Sequence, residues 1–214
     1  MSKRNLMIAI AAILVLGASP IFASTLAVTN AAAMTGSFGL EITVDGTPNT
    51  IALVEARGSA GAGPTQETHH LARFEYDPNG LTMNNVTWFQ LFNLRGQNIV
   101  APGEISISRI YTIRKNNLYR LYAMCKFNNN VERYTTRINV SGPVTVELDW
   151  TAGTLADPNN GCCLTVVGSG TVCRNDVNNS AHRIDAARLG LVGNDGLLLP
   201  NAGSYYLDTY ESFR

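Results

Sequence analysis

Val144-Thr-Val-Glu-Leu-Asp-Trp150 sets Val144, Val146, Leu148 and Trp150 against Thr145, Glu147 and Asp149. Successive side chains of a β-strand point to opposite faces, so this period of two describes a strand with one dry and one wet side. The same alternation recurs on either side of it. Residues 38–45 place Phe38, Leu40, Ile42 and Val44 opposite Glu41, Thr43 and Asp45, and residues 72–76 place Ala72, Phe74 and Tyr76 opposite Arg73 and Glu75. One greasy face per strand is what antiparallel sheets need when they pack on one side only.

Further strands are predicted at residues 51–56, 86–94, 105–113, 118–127, 131–140, 164–167, 171–174, 183–191 and 204–213. Turn chemistry separates them. Gly168-Ser169-Gly170 reads as a hairpin loop, because glycine accepts positive φ at no steric cost. Asp77-Pro78-Asn79-Gly80, Asp157-Pro158-Asn159-Asn160 and Asn194-Asp195-Gly196 are turns by the same logic. Residues 25–37 are a loose leader or a first edge strand, and residues 58–66 an exposed loop. Helical periodicity is absent beyond the N-terminal segment, so the expected fold is all-β, a two-sheet antiparallel jelly-roll sandwich in a single domain over residues 24–214.

The N-terminus predicts the compartment. Lys3 and Arg4 precede an apolar run of 11 residues, Leu6 to Leu16, and Ile21-Phe22-Ala23 offers a cleavage site before Ser24. This is the pattern of a secretory signal peptide over residues 1–23, too short for the roughly 20 residues of a membrane span. The mature chain is expected to be secreted or periplasmic, with no membrane span of its own. The full chain carries 16 Lys and Arg against 16 Asp and Glu; loss of Lys3 and Arg4 leaves it slightly acidic. Nucleic acid is excluded as a partner on that balance, since phosphate contacts demand a basic surface.

Four cysteines, Cys125, Cys162, Cys163 and Cys173, suit two disulfides in an oxidising compartment better than a metal site, because spaced ligand pairs are missing. Cys162 and Cys163 are adjacent and face opposite sides of a strand. One of them is expected to reach Cys125 and the other Cys173, in an order left open.

The order of segments then carries a resemblance. Leu71-Ala-Arg-Phe-Glu-Tyr-Asp-Pro-Asn79, Phe89-Gln-Leu-Phe92, Leu118-Tyr-Arg-Leu-Tyr122, Val146-Glu-Leu-Asp-Trp150, Arg183-Ile-Asp-Ala-Ala-Arg-Leu-Gly190 and Tyr206-Leu-Asp-Thr-Tyr-Glu-Ser-Phe-Arg214 are similar to bacterial exported proteins of the concanavalin A-like, laminin-G-like jelly-roll group. The resemblance covers the chain from about Ile51 onward. It implies a jelly roll, an extracytoplasmic site, and carbohydrate or protein binding; it speaks to fold more than to activity.

Candidate chemistry is sparse. Glucanases on this fold carry E-x-D-x-x-E, whose paired carboxylates act as nucleophile and acid/base. Glu147 and Asp149 match the first two positions, but Ala152 stands where the second glutamate belongs, so a retaining hydrolysis has no proton donor. A serine hydrolase lacks its Gly-x-Ser-x-Gly elbow, and the histidines are confined to His69, His70 and His182. Calcium is the cation that the oxygen-rich loops would suit, through Asp157 and Asn159 (with Asn160) or Asp176 and Asn178 (with Asn179). A sugar would stack on an aromatic ring. Trp88 is predicted to be core, sharing a face with Val86, Phe92 and Leu94, whereas Tyr122 shares its strand face with Arg120 and Lys126 and is the candidate platform. The expected function is a non-catalytic binding domain for a glycan or a cell-surface protein. The alternatives are a structural or adhesive envelope module working through protein contacts, and a glycoside-active enzyme with an unrecognised site.

Overall fold

The computed structural model describes residues 25–44, 51–56, 66–78, 80–99, 104–192 and 202–213. The signal peptide expected at residues 1–23, the loop expected at 58–66 up to Gln66, and the turn expected at Asn194-Asp195-Gly196 lie outside the described residues. Every regular element among the described residues is a strand. In chain order these are β1 (Thr25–Thr29), β2 (Gly39–Val44), β3 (Ile51–Ala56), β4 (His69–Asp77), β5 (Trp88–Asn98), β6 (Glu104–Lys115) and β7 (Leu118–Lys126). There follow β8 (Glu132–Tyr134), β9 (Ile138–Val140), β10 (Val144–Thr151), β11 (Gly161–Val166), β12 (Gly170–Arg174), β13 (His182–Leu191) and β14 (Gly203–Phe213).

They form two antiparallel sheets. The first runs β1-β2-β14-β4-β10-β11-β12, and the second β3-β13-β5-β6-β7-β8, with β9 also on β7. The two-sheet jelly-roll sandwich is therefore observed. β1 is an edge strand, which decides between the two readings of that segment.

The core is the sum of the dry faces. Ile42, Phe74, Val146, Leu148 and Trp150 of the first sheet meet Phe89, Phe92, Leu94, Ile110 and Leu121 of the second, all fully buried. Phe74 and Phe92 touch across the layers, ring centroids 5.7 Å apart. A buried hydroxyl also needs a partner, and here Thr112 Oγ1 on β6 donates to Tyr76 Oη on β4 at 3.1 Å.

The adjacent cysteines behave as opposite faces require. Cys162 points inward from β11 and bonds Cys125 on β7, joining the sheets, while Cys163 points outward and bonds its register partner Cys173 on β12. Gly168 takes φ +81° in the hairpin between β11 and β12, as its turn demands.

Two of the expected strands have altered bounds for visible reasons. The run at 131–140 splits into β8 and β9 because Thr135 turns inward, its Oγ1 accepting from Ala123 N at 2.9 Å. The strand expected from Val86 begins at Trp88, because Val86 has φ +70°, a left-handed conformation that a β-branched residue adopts only under strain.

Candidate functional site

The outer face of the second sheet is built by a break in alternation. Strict period two from Trp88 would send Phe92 and Leu94 to the same side as Trp88. Instead the pairing of β5 with β6 steps from Gln90↔Tyr111 to Phe92↔Ile110, leaving Leu91 as an extra residue. Such a bulge inverts the phase of the strand beyond it. Leu91, Phe92 and Leu94 are all buried in the core, and Asn93 and Arg95 join Trp88 and Gln90 on the outer side. The expectation that Trp88 is core is corrected for this reason: it is half-buried and meets Tyr111 edge-on, centroids 5.1 Å apart.

Register then lays the outer residues in transverse rows. Arg188, Asn93, Arg109, Met124 and Tyr134 stand opposite one another in turn across β13, β5, β6, β7 and β8. Gln90, Tyr111 and Tyr122 form the next row, and Trp88, Ile113 and Arg120 the one after. On the other flank lie Ala186, Arg95 and Ser106.

Three tyrosines pave the centre. Tyr111 and Tyr122 stack at 5.0 Å, and Tyr134 leans on both at 6.3 and 6.0 Å. Tyr111 is the floor, 2% exposed, while Tyr134 at 43% stands at the rim. Arg137 covers Tyr122, 5.5 Å from its centroid, a cation–π approach. Arg109 Nη1 donates to Tyr111 Oη at 3.0 Å. Burial, reinforced by Tyr111, pushes the Tyr122 phenol up against the opposing pull of Arg137. Burial, then the hydrogen bond to Glu132 and its charge, push the Tyr134 phenol up as well. Both are therefore O–H donors at neutral pH.

Charge is distributed at the two ends of the paved area. Glu104 accepts from Arg95 Nε at 2.5 Å and lies 3.9 Å from Arg188. Glu132 lies 3.8 Å from Arg109 and 3.7 Å from Lys126, and accepts from Tyr134 Oη at 2.9 Å. Asn93 Nδ2 donates to Ser106 Oγ at 3.0 Å between them. Cations outnumber carboxylates here, although the whole chain is neutral.

The residues singled out from sequence fall in three places. Tyr122, Arg120 and Lys126 lie on this face, all pointing outward from β7. The two oxygen-rich loops pack against each other at one end of the sandwich, where Asn179 braces Gly153 N at 2.8 Å and Asn160 Nδ2 donates to Thr154 O at 2.5 Å. Asp157 Oδ1 accepts from Asn159 N at 2.9 Å, Asn178 Oδ1 from Asn128 Nδ2 at 2.8 Å, and Asp176 lies 3.6 Å from Arg174. Among the described residues no group of three or more His, Cys, Asp or Glu side chains is placed to hold a metal. Glu147 and Asp149 sit on the outer face of the first sheet, on the far side of the molecule, Glu147 3.6 Å from Arg73 and Asp149 2.9 Å from His69. His70 and His182 are fully buried.

Sequence reasoning missed Arg95, Arg109, Arg188, Gln90, Asn93, Tyr111 and Tyr134 as one group. Their shared signal is a polar residue inside a strand otherwise rich in apolar ones, which becomes a site only once register is known.

No family model matches the sequence, and no curated protein matches it. Solved structures do match in backbone. The chain is similar to an endo-β-1,4-glucuronan lyase of the fungus Trichoderma reesei, at 15% identity and TM-score 0.61 over 91% of this chain and 88% of that one. It is similar to an alginate lyase of Klebsiella pneumoniae, at 10% identity and TM-score 0.56 over 85% and 83%. It is similar also to an alginate lyase of Pseudomonas aeruginosa, at 9% identity and TM-score 0.55 over 82% of each chain.

These likenesses establish the jelly-roll sandwich; membership of the concanavalin A-like or laminin-G-like group gains no support from a family match. They also correct the expectation of a domain without catalysis, since polysaccharide lyases are among the solved structures that share this fold along most of both chains. The incomplete motif at Ala152 misled for a chemical reason. The missing glutamate bears only on the two-carboxylate hydrolytic route and says nothing of other ways to cleave a glycan.

Proposed function

We propose that the chain is a polysaccharide lyase that binds a uronic acid-rich glycan across the outer face of the second sheet and cleaves it by β-elimination. The observation that carries this reading is the juxtaposition of Tyr111, Tyr122 and Tyr134 with Arg109 and Arg188 in adjacent rows of one sheet. The rings offer flat apolar platforms to the C–H faces of a sugar chain, and the guanidiniums offer bidentate partners to its carboxylates.

In the elimination a base removes the proton from the carbon bearing the carboxyl group. The electron pair forms a carbon–carbon double bond, and the glycosidic oxygen on the adjacent carbon departs and takes up a proton. Negative charge collects on the carboxylate as the proton leaves. Arg188 and Arg109 are assigned to hold it, a stabilisation for which loss of one donor costs about 100- to 1000-fold in rate elsewhere. Tyr134, an O–H donor at rest, is assigned to protonate the departing oxygen, and Tyr122, whose ring lies under Arg137, is assigned to take the carbon-bound proton as a phenolate once its own hydroxyl proton has passed to solvent. Two disulfides support a site of action outside the cytoplasm, and no helix among the described residues is long and apolar enough to cross a membrane.

The test is incubation with polyglucuronate, alginate and a neutral 1,4-glucan, following ultraviolet absorbance of the unsaturated product. Polyuronate is expected to give the signal and the neutral glucan none. Neither binding nor unsaturated product with either polyuronate would sink the reading.

A further inference from the structure

Glu132 stands where a substrate carboxylate would stand. It projects from β8 onto the tyrosine-paved face, directly opposite Lys126 in register, and its carboxylate oxygens lie 3.7 Å from Lys126 Nζ and 3.8 Å from Arg109 Nη1. The same carboxylate accepts the Tyr134 hydroxyl at 2.9 Å. Arg109 and Lys126 are held low on the sheet, their side chains only 14% and 12% exposed, and Glu132 is 28% exposed. The separations are those of loose ion pairs rather than tight bidentate ones. Pairs this loose can be exchanged for a better-placed anion, while the anion already present repels any newcomer.

We propose that Glu132 is a built-in competitor that occupies the carboxylate subsite of the empty face and must be displaced from Arg109 and Lys126 when a polyuronate binds. This rests on the polyuronate reading of the same face. The physical consequence runs against intuition for a polar residue in a binding site: removing its charge strengthens binding. Glu132 also selects against neutral chains, because a ligand without carboxylates gains nothing from Arg109 or Lys126 and leaves Glu132 in place. Displacement frees the Tyr134 hydroxyl at the same moment, which ties proton-donor availability to correct substrate.

Binding is read by titration calorimetry with alginate and polyglucuronate oligomers in a Tyr122→Phe background, where turnover does not interfere. Glu132→Gln keeps an oxygen for the Tyr134 hydroxyl and removes the charge. It is expected to tighten polyuronate binding about two- to fivefold, the scale of one partly exposed charge pair, with the gain shrinking as salt is raised. Glu132→Ala is expected to tighten it as well, so the result does not hang on how glutamine settles. If the parent binds and both variants bind equally or more weakly, the competitor role is overturned and the polyuronate reading stands. If neither parent nor variants bind polyuronate, the reading of the face falls and the competitor role falls with it.

Discussion

The Tyr122 ring lies on the Tyr111 ring with centroids 5.0 Å apart and planes 17° from parallel, because the two residues are direct register partners on β7 and β6. Stacked aromatic pairs contribute about 0.5–1.5 kcal/mol beyond burial, enough to hold one ring orientation at an otherwise exposed position. Tyr111 is thus the anvil that fixes where the Tyr122 hydroxyl points.

Tyr122→Phe keeps this stack and deletes the hydroxyl. Turnover of polyuronate, followed by product absorbance, is expected to fall by about 100-fold or more, the usual worth of a positioned proton carrier, with KM little changed. Tyr122→Ala removes the platform too and should raise KM as well. A phenylalanine variant with normal turnover would remove Tyr122 from the chemistry.

Arg188→Gln removes one end of the guanidinium row while leaving its neighbour Asn93 in place. A hydrogen bond to a charged group is worth about 1.5–3 kcal/mol, so kcat/KM for polyuronate should drop by about 10- to 100-fold. The ionic-strength dependence of binding should also become shallower. Unchanged salt dependence would mean that Arg188 does not meet the polymer.

His182 is fully buried, and burial, then the charge of Lys126, hold its imidazole down at about 4, against an ordinary value of 6.5. The unfolded chain therefore takes up a proton below about 6.5 that the folded chain refuses until about 4. Stability from this group is complete above 6.5 and is lost as pH falls through that window, by roughly 1–3 kcal/mol. Urea unfolding between pH 7 and 4.5 should show this decline, and His182→Leu should flatten it. An equal decline in the variant would assign acid sensitivity to other groups.

The two disulfides close loops of different size, with sequence separations of 37 for Cys125–Cys162 and 10 for Cys163–Cys173. Chain-entropy arguments give about 4 kcal/mol for the first and about 3 kcal/mol for the second. Replacing Cys125 and Cys162 by alanine should therefore lower the denaturant midpoint more than replacing Cys163 and Cys173. Loss of the inter-sheet bond also leaves a gap between β7 and β11, which widens the difference. Equal losses would argue against the loop-size account.

Most of the fold was legible in one dimension. Alternation located β2, β4, β6, β7, β10, β13 and β14 to within a few residues, because each buries one face against the opposite sheet. That Cys162 and Cys163 face opposite sides followed from the same rule, and which of them turns inward to Cys125 was decided by the sandwich. Of the candidate site, only Tyr122, Arg120 and Lys126 were legible, since they lie two and four residues apart on one strand. Trp88 was placed on the wrong side because the phase of β5 inverts at Leu91, and a bulge leaves no mark in the alternation that precedes it. Arg95, Arg109 and Arg188 could not be grouped, because they come from three strands that meet only through pairing.

Alternation is a local property of extended backbone, so the order of residues alone determined which segments are strands, which side of each is greasy, and that two layers must close on each other. Which strands lie side by side, where the pairing slips by one residue, and therefore which polar side chains share a surface were decided by the assembled sandwich. That choice is made by the joint burial of both inner faces. The outward residues take no part in it, and their grouping appears only when the whole core is in place.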